Sequence, residues 1–125
     1  MRRLFEVVDI EAEVLVIYDE ANDTTIPALT KLQLEFQNLR SVQNTYGRGP
    51  ANAIKFGIDQ ATAQVVVVTM ADGCDDASQI AVLTRLVERG VVVACASRYA
   101  KTGQQVGGPL IKGLMSKVAG LSLYY

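Results

Sequence analysis

Residues 65–76 read VVVVTMADGCDD, a run of four valines that gives way to small and acidic residues. Four β-branched residues in succession predict a strand that is buried on both faces, as in a parallel sheet. Ligands of such sheets bind at the carboxyl ends of the strands. Carboxylates at this end need a partner, because burying an unpaired charge is costly. A hard cation such as Mg²⁺ or Mn²⁺, which prefers oxygen ligands, would supply one.

Helix capping is the alternative explanation for part of this acidic run. Asp76 can cap the helix that follows, and Asp75 is favoured near the positively polarised end of that helix. Capping and metal binding account equally well for these two residues. Capping does not account for Asp72.

The composition restricts the chemistry that the chain can perform. Its 125 residues fit one domain, half of them are hydrophobic, and the net charge is −1. Lysine and arginine form no basic stripe, which argues against nucleic acid as a partner. The absence of histidine excludes a histidine general base and most transition-metal sites. Cys74 and Cys95 lack a zinc-type spacing.

No signal peptide is visible, and no apolar run approaches the roughly 18 residues of a membrane span. We therefore expect a cytoplasmic protein, with membrane association of the full-length protein left open.

Strand and helix patterns alternate along the chain. Apolar runs predict strands at 14–18, 39–46, 65–68 and 91–96. Apolar faces predict helices at 26–36, 50–61, 80–87 and 109–121, after a short helical segment at 2–9. This alternation predicts an α/β fold, with a Rossmann-like, mostly parallel sheet and helices on both of its faces.

Polar residues follow three of the predicted strands, at 19–23, 72–76 and 97–99. Because the carboxyl ends of parallel strands lie at one edge of a sheet, we expect these segments to converge there. This convergence is the main functional signal that the residues themselves supply.

Five segments, in order, resemble motifs of the inverting nucleotide-sugar glycosyltransferases, especially the dolichyl-phosphate mannosyltransferase-like group. They are YDEANDTT at 18–25, the glycine-rich helix start at 47–57, Met70-Ala71-Asp72 at the place of an Asp-x-Asp metal motif, Ser97-Arg98-Tyr99, and Ser116-Lys117. The resemblance implies a glycosyltransferase A-type fold in a single nucleotide-sugar-binding domain, residues 1–125. It also implies a nucleotide-diphosphate sugar as donor and a lipid phosphate or a saccharide as acceptor.

The resemblance further implies roles for individual side chains. Asp72 would bind the divalent metal, Mg²⁺ or Mn²⁺. Asp75 would substitute for the first Asp of the metal motif, which is Met70 in this chain. Asp19 and Asp23 would hydrogen-bond the base or the ribose of the nucleotide. Arg98 would pair with phosphate, although a structural ion pair with one of these aspartates is an alternative.

The chain also departs from the family's pattern. Met70 stands where the family has the first Asp of its metal motif. The family's opening strand has no counterpart before Met1, and the acid proposed as the acceptor's base would lie beyond Tyr125. We therefore expect a fragment of a longer protein that transfers no sugar by itself, and we assign no catalytic residue.

Two other functions compete with this interpretation. A non-catalytic binding or assembly module of the same fold would explain Met70. A phosphoacceptor receiver domain also carries acids at strand ends, but the sequence lacks its lysine at a late strand end. A sheet without its opening strand would expose an unpaired edge, which predicts a homodimer unless residues 2–9 cover that surface.

Overall fold

The computed structural model describes residues 2–8 and 10–97, together with the single positions 103, 113, 115, 118 and 119. The chain divides into two compact units, residues 1–92 and residues 93–125. In the second unit, residues 93–97 have no regular secondary structure, and positions 113, 115, 118 and 119 are helical. These helical positions fall within the last predicted helix, whose other residues lie outside the described part of the chain.

The first unit contains all the elements whose bounds can be given. In chain order they are α1 (Arg2–Val7), β1 (Val14–Tyr18), α2 (Ile26–Glu35), β2 (Leu39–Gln43), α3 (Pro50–Gln60), a 3₁₀ turn (Ala77–Gln79) and α4 (Ile80–Glu88). None of the helices in the described residues combines the length and the apolar character needed to cross a membrane.

The two strands are parallel and are joined by α2 in a β-α-β unit. Val14 pairs with Leu39 at one end of the ladder, and Tyr18 pairs with Gln43 at the other. Parallel strands need a crossover connection, and a helix between them is the usual one. The parallel pairing and its helical crossover confirm the α/β class that the sequence predicts.

Helices α2 and α3 lie on opposite faces of this pair of strands. Gln33 of α2 donates a hydrogen bond to the Ser41 hydroxyl of β2, at 3.4 Å. Gly57 of α3 lies against the side chain of Ile17 in β1. Ser41 pairs with Val16, and neighbouring residues of a strand point to opposite faces. Ile17 and Ser41 therefore face opposite sides of the sheet, as the predicted architecture requires.

Three hydrophobic side chains are buried among the described residues, one from each of three elements. Leu29 of α2, Leu39 of β2 and Phe56 of α3 are the buried hydrophobic residues. Phe5 of α1 stacks on Phe36, which caps the end of α2, with ring centroids 3.9 Å apart. This stack fixes α1 to the rest of the unit.

Glu13 lies directly before β1, at the amino end of the parallel strands, and links several segments there. Its Oε1 accepts hydrogen bonds from the Thr62 amide at 2.8 Å and from the Thr62 hydroxyl at 2.6 Å. Its Oε2 lies 3.1 Å from the guanidinium of Arg40 in β2. These bonds hold the pKa of Glu13 below its ordinary value, the Thr62 hydroxyl contributing most. Glu13 thus joins both strands to the segment after α3.

The predicted strands at 65–68 and 91–96 are not strands in the structure. Within the described residues, the sheet contains β1 and β2 alone. Val66 is 42% exposed and Val68 is 51% exposed, so the prediction of burial on both faces is wrong. Val92 is 91% exposed. β-Branched residues favour the strand conformation, but a strand also requires a neighbouring strand to hydrogen-bond with. No such neighbour is present for these segments among the described residues.

Candidate functional site

Asp19 lies directly after β1, and both of its carboxylate oxygens accept hydrogen bonds. Oδ1 accepts one from the Asn44 side-chain amide at 2.8 Å, and Oδ2 accepts one from the backbone amide of Gly49 at 2.9 Å. The Asn44 amide, then Gly49, and to a smaller extent Arg48 hold the pKa of Asp19 below its ordinary value, while burial opposes them. Asp19 is therefore an ionised acceptor at neutral pH.

Asn44 connects the loops that follow the two strands. It is the one buried polar residue among the described positions, with 7% of its surface exposed. Its side-chain amide also donates to the carbonyl of Gly47 at 2.6 Å, and its Oδ1 accepts from the amide of Tyr46 at 2.9 Å. Sequence reasoning missed this residue. The available signal was a polar amide between a strand and a glycine-rich turn.

The turn Gly47-Arg48-Gly49 carries the chain from β2 into α3. Gly47 and Gly49 have φ angles of +101° and +110°, which glycine adopts readily and other residues avoid. Pro50 then begins α3, where its fixed φ suits the first turn of a helix. The Arg48 guanidinium lies 3.1 Å from Glu20, but both side chains are exposed, so this ion pair stabilises the fold little.

Asp23 lies near Asp19 and is bound within its own loop. Its Oδ1 accepts hydrogen bonds from the hydroxyl of Thr25 at 2.6 Å and from the amide of Thr25 at 2.8 Å. The Thr25 hydroxyl contributes most to holding the pKa of Asp23 below its ordinary value, while burial and the charge of Asp19 oppose this. The two aspartates are thus close enough to interact electrostatically. Thr25 occupies the N-cap position of α2.

The acidic loop at 69–76 is exposed, and its three aspartates make different contacts. Asp76 caps the 3₁₀ turn by accepting from the Ser78 amide at 3.0 Å, which confirms its predicted capping role. Asp75 folds back to accept from the Thr69 hydroxyl at 3.0 Å and from the Met70 amide at 2.8 Å. Asp72 accepts from the amide of Cys74 at 3.0 Å.

The carboxylate oxygens of this loop are ligands of the kind that a hard cation prefers. The hydrogen bonds of Asp72 and Asp75 use one oxygen of each carboxylate. Mg²⁺ often binds through one or two carboxylates and completes its shell with substrate phosphates and water. Among the described residues, however, no three acidic or cysteine side chains lie together as a metal site.

The site residues predicted from the sequence thus form two groups in the structure, and the others lie outside the described residues. Asp19 and Asp23 lie together after β1, and Asp72 and Asp75 share the acidic loop. Arg98, the predicted phosphate partner, lies outside the described residues, as do Tyr99, Ser116 and Lys117.

Comparison with known proteins gives two findings. Residues 2–118 match the profile of glycosyl transferase family 2, a range that includes every sequence-predicted site residue. The chain is also 28% identical, over 107 residues, to a dolichol-phosphate mannosyltransferase of Pyrococcus furiosus. This alignment covers 86% of the chain and 30% of the relative. The chain therefore spans less than a third of that relative's length.

Proposed function

The chain belongs to glycosyl transferase family 2, and we propose that it binds a nucleotide-diphosphate sugar whose sugar is passed to a lipid phosphate or a saccharide. The family match over residues 2–118 carries the proposal. The name of the Pyrococcus furiosus relative favours a lipid phosphate over a saccharide as the acceptor. The family match decides against a phosphoacceptor receiver domain.

Asp19 and Asp23 would recognise the nucleoside. Both carboxylates have a lowered pKa and are ionised at neutral pH. An ionised carboxylate only accepts hydrogen bonds, and each of its oxygens can accept more than one. The N–H groups of a base or the hydroxyls of a ribose are the matching donors. This complementarity supports the assignment of both residues to the nucleoside end of the donor.

Asp72 and Asp75 would hold the divalent metal beside the diphosphate. Without a cation, the negative charges of the diphosphate and of this loop would repel each other. A bound Mg²⁺ or Mn²⁺ would act as a Lewis acid that neutralises charge on the departing diphosphate. Arg98 would add a bidentate contact to phosphate.

Calorimetry with GDP and UDP, each with and without Mn²⁺, tests this function. We expect binding that requires the metal and that weakens strongly in Asp72→Asn. Asp59→Asn, at an exposed aspartate of α3, is the matched control and should bind as the wild type does. Absence of binding in the presence of Mn²⁺ would contradict nucleotide recognition. Binding of equal strength without metal would contradict only the metal assignment.

A non-catalytic binding module is the second candidate, and Met70 is the observation that favours it. The thioether of Met70 replaces a carboxylate in the metal motif, and the backbone amide of Met70 binds Asp75. Such a module would bind the nucleotide without a metal requirement. The calorimetric comparison with and without Mn²⁺ separates the two candidates.

Sugar transfer by residues 1–125 alone is not expected, because we assign no base that would deprotonate an acceptor. Incubating the chain with a radiolabelled nucleotide sugar, Mn²⁺ and a polyprenyl phosphate tests this. Labelled lipid product would contradict the expectation.

A further inference from the structure

We infer that Asn44 is a positioning residue, which holds the Asp19 carboxylate and the Gly47–Gly49 turn in one arrangement at the carboxyl end of the sheet. The inference deepens the proposed function, because it concerns the residue that orients Asp19 toward the nucleoside. It assigns Asn44 no contact with the ligand.

The hydrogen bonds of Asn44 require an amide. Its side-chain nitrogen donates to Asp19 and to the Gly47 carbonyl, and its side-chain oxygen accepts from the Tyr46 amide. Its backbone amide donates to the carbonyl of Tyr18 at 2.8 Å. A group with two donors and an acceptor on one rigid plane is needed here, and neither aspartate nor serine provides it. Asn44 thus joins the ends of both strands through a buried side chain.

The turn beside Asn44 depends on this support. Glycines at positive φ are conformationally free in an unconstrained loop, so ordering them at the moment of binding would cost affinity. The Asn44 bond to the Gly47 carbonyl and the Gly49 bond to Asp19 order the turn before a ligand arrives. The arrangement therefore presents Asp19 in a preorganised orientation.

The pKa of Asp19 provides a measurable test of this role. Arg48 is the charged group that acts on Asp19, whereas Asp19 in turn acts on Asp23, and Glu20 pairs with Arg48. The Asn44 amide makes the largest contribution to the lowered pKa of Asp19. Removing that amide leaves Gly49 and Arg48 in place but should raise the pKa of Asp19.

Asn38 provides a matched control at the opposite end of the same two strands. Its side-chain amide donates to the carbonyl of Ala12 at 2.8 Å, so it also links the β1 side to the β2 side. Asn38→Ala removes one exposed side-chain hydrogen bond that is remote from Asp19. Loosening of the link between β1 and β2 in general would affect nucleotide binding in both variants, whereas a positioning role would affect the Asp19 titration in Asn44→Ala alone.

The experiment measures the titration of the Asp19 carboxyl carbon by NMR and the affinity for GDP and UDP with Mn²⁺. We expect Asn44→Ala to raise the pKa of Asp19 and to weaken nucleotide binding about tenfold, as loss of a hydrogen bond to a charged group does. Asn38→Ala should change neither quantity. An unchanged Asp19 titration in folded Asn44→Ala would overturn the inference.

The inference on Asn44 can still be tested if the wild type does not bind nucleotide or if Asn44→Ala does not fold. If the wild type binds neither nucleotide, the proposed function fails, while the Asp19 titration still decides the role of Asn44. If Asn44→Ala does not fold, Asn44→Ser replaces it, and the wild-type titration provides an independent check. An Asp19 pKa in the wild type at or above the ordinary value of about 3.9 would itself refute the inference.

Discussion

A Cβ atom added to Gly57 would lie 3.2 Å from Cγ1 of Ile17, which is closer than an ordinary van der Waals contact. Gly57 faces β1 from the middle of α3, and Ile17 is one residue from the end of β1. The missing side chain therefore lets the helix approach the strand closely. This approach brings the Gly49 amide at the start of α3 within hydrogen-bonding distance of Asp19.

Gly57→Val should push α3 away from β1. Overpacking of this kind costs about 1–3 kcal/mol, and we expect a loss of about 2 kcal/mol in the free energy of unfolding, measured by urea denaturation. Ala51→Val, at an exposed position of the same helix, is the control and should cost only about 0.5 kcal/mol in helix propensity. Equal losses in the two variants would show that the contact with Ile17 is not limiting.

Asp76 should matter for stability through its cap. Asp76→Ala removes the acceptor of the Ser78 amide and should lower the free energy of unfolding by about 1 kcal/mol. Asp76→Asn keeps an oxygen that can cap and should cost much less. Thermal unfolding followed by circular dichroism compares the two variants. Similar losses would mean that the charge of Asp76, rather than its capping bond, stabilises the helix start.

Two aspartates of the acidic loop should have different roles, Asp76 in capping and Asp72 in metal binding. Asp72→Asn should weaken Mn²⁺-dependent nucleotide binding more than Asp76→Asn, because we assign Asp76 to the cap. Calorimetry of both variants against the wild type measures the difference. Equal losses of affinity would show that this division is wrong.

How far the sequence predicts the structure depends on how local each feature is. The Asp76 cap, the Pro50 helix start and β1 arise from residues near one another in the chain, and all three were predictable. Asn44 and Asp19 are separated by 25 residues, so their bond depends on the pairing of β1 with β2. The valines at 65–68 show the same limit, because their sequence favours a strand without providing its neighbour.

Glu13 predicts a specific dependence of stability on pH. Its lowered pKa means that its stabilising effect is complete above the ordinary Glu value of about 4.3 and is lost as the pH falls through the folded-state value. Glu13→Gln should therefore be less stable at pH 7 and should show a flatter loss of stability between about pH 5 and pH 3. Urea unfolding at several pH values measures this, with Glu11→Gln as the control for charge. A pH profile parallel to that of the wild type would contradict the prediction.

Restoring a carboxylate at Met70 should strengthen metal binding. The side chain of Met70 is among the exposed residues, at 53%, so an aspartate fits without a buried charge. Because affinity rises with the number of charged ligands, Met70→Asp should tighten Mn²⁺ binding on the order of tenfold. Ala71→Asp adds the same charge one residue away and should have a smaller effect. If both variants bind equally well, general electrostatic attraction accounts for the gain.

Self-association is the last prediction, and the exposed valines provide its physical basis. Val66 and Val68 are about half exposed, so α1, which stacks on Phe36 through Phe5, leaves a substantial part of both side chains open to solvent. An exposed apolar segment that belongs to no sheet is a template for pairing with another chain. We therefore expect light scattering across a dilution series to report a dimer. The paired substitution Val66→Thr and Val68→Thr keeps the β-branched shape and should weaken that dimer. Leu34→Gln, at a residue of α2 that is 84% exposed, should leave it unchanged. A monomer mass at the highest soluble concentration would end the dimer hypothesis.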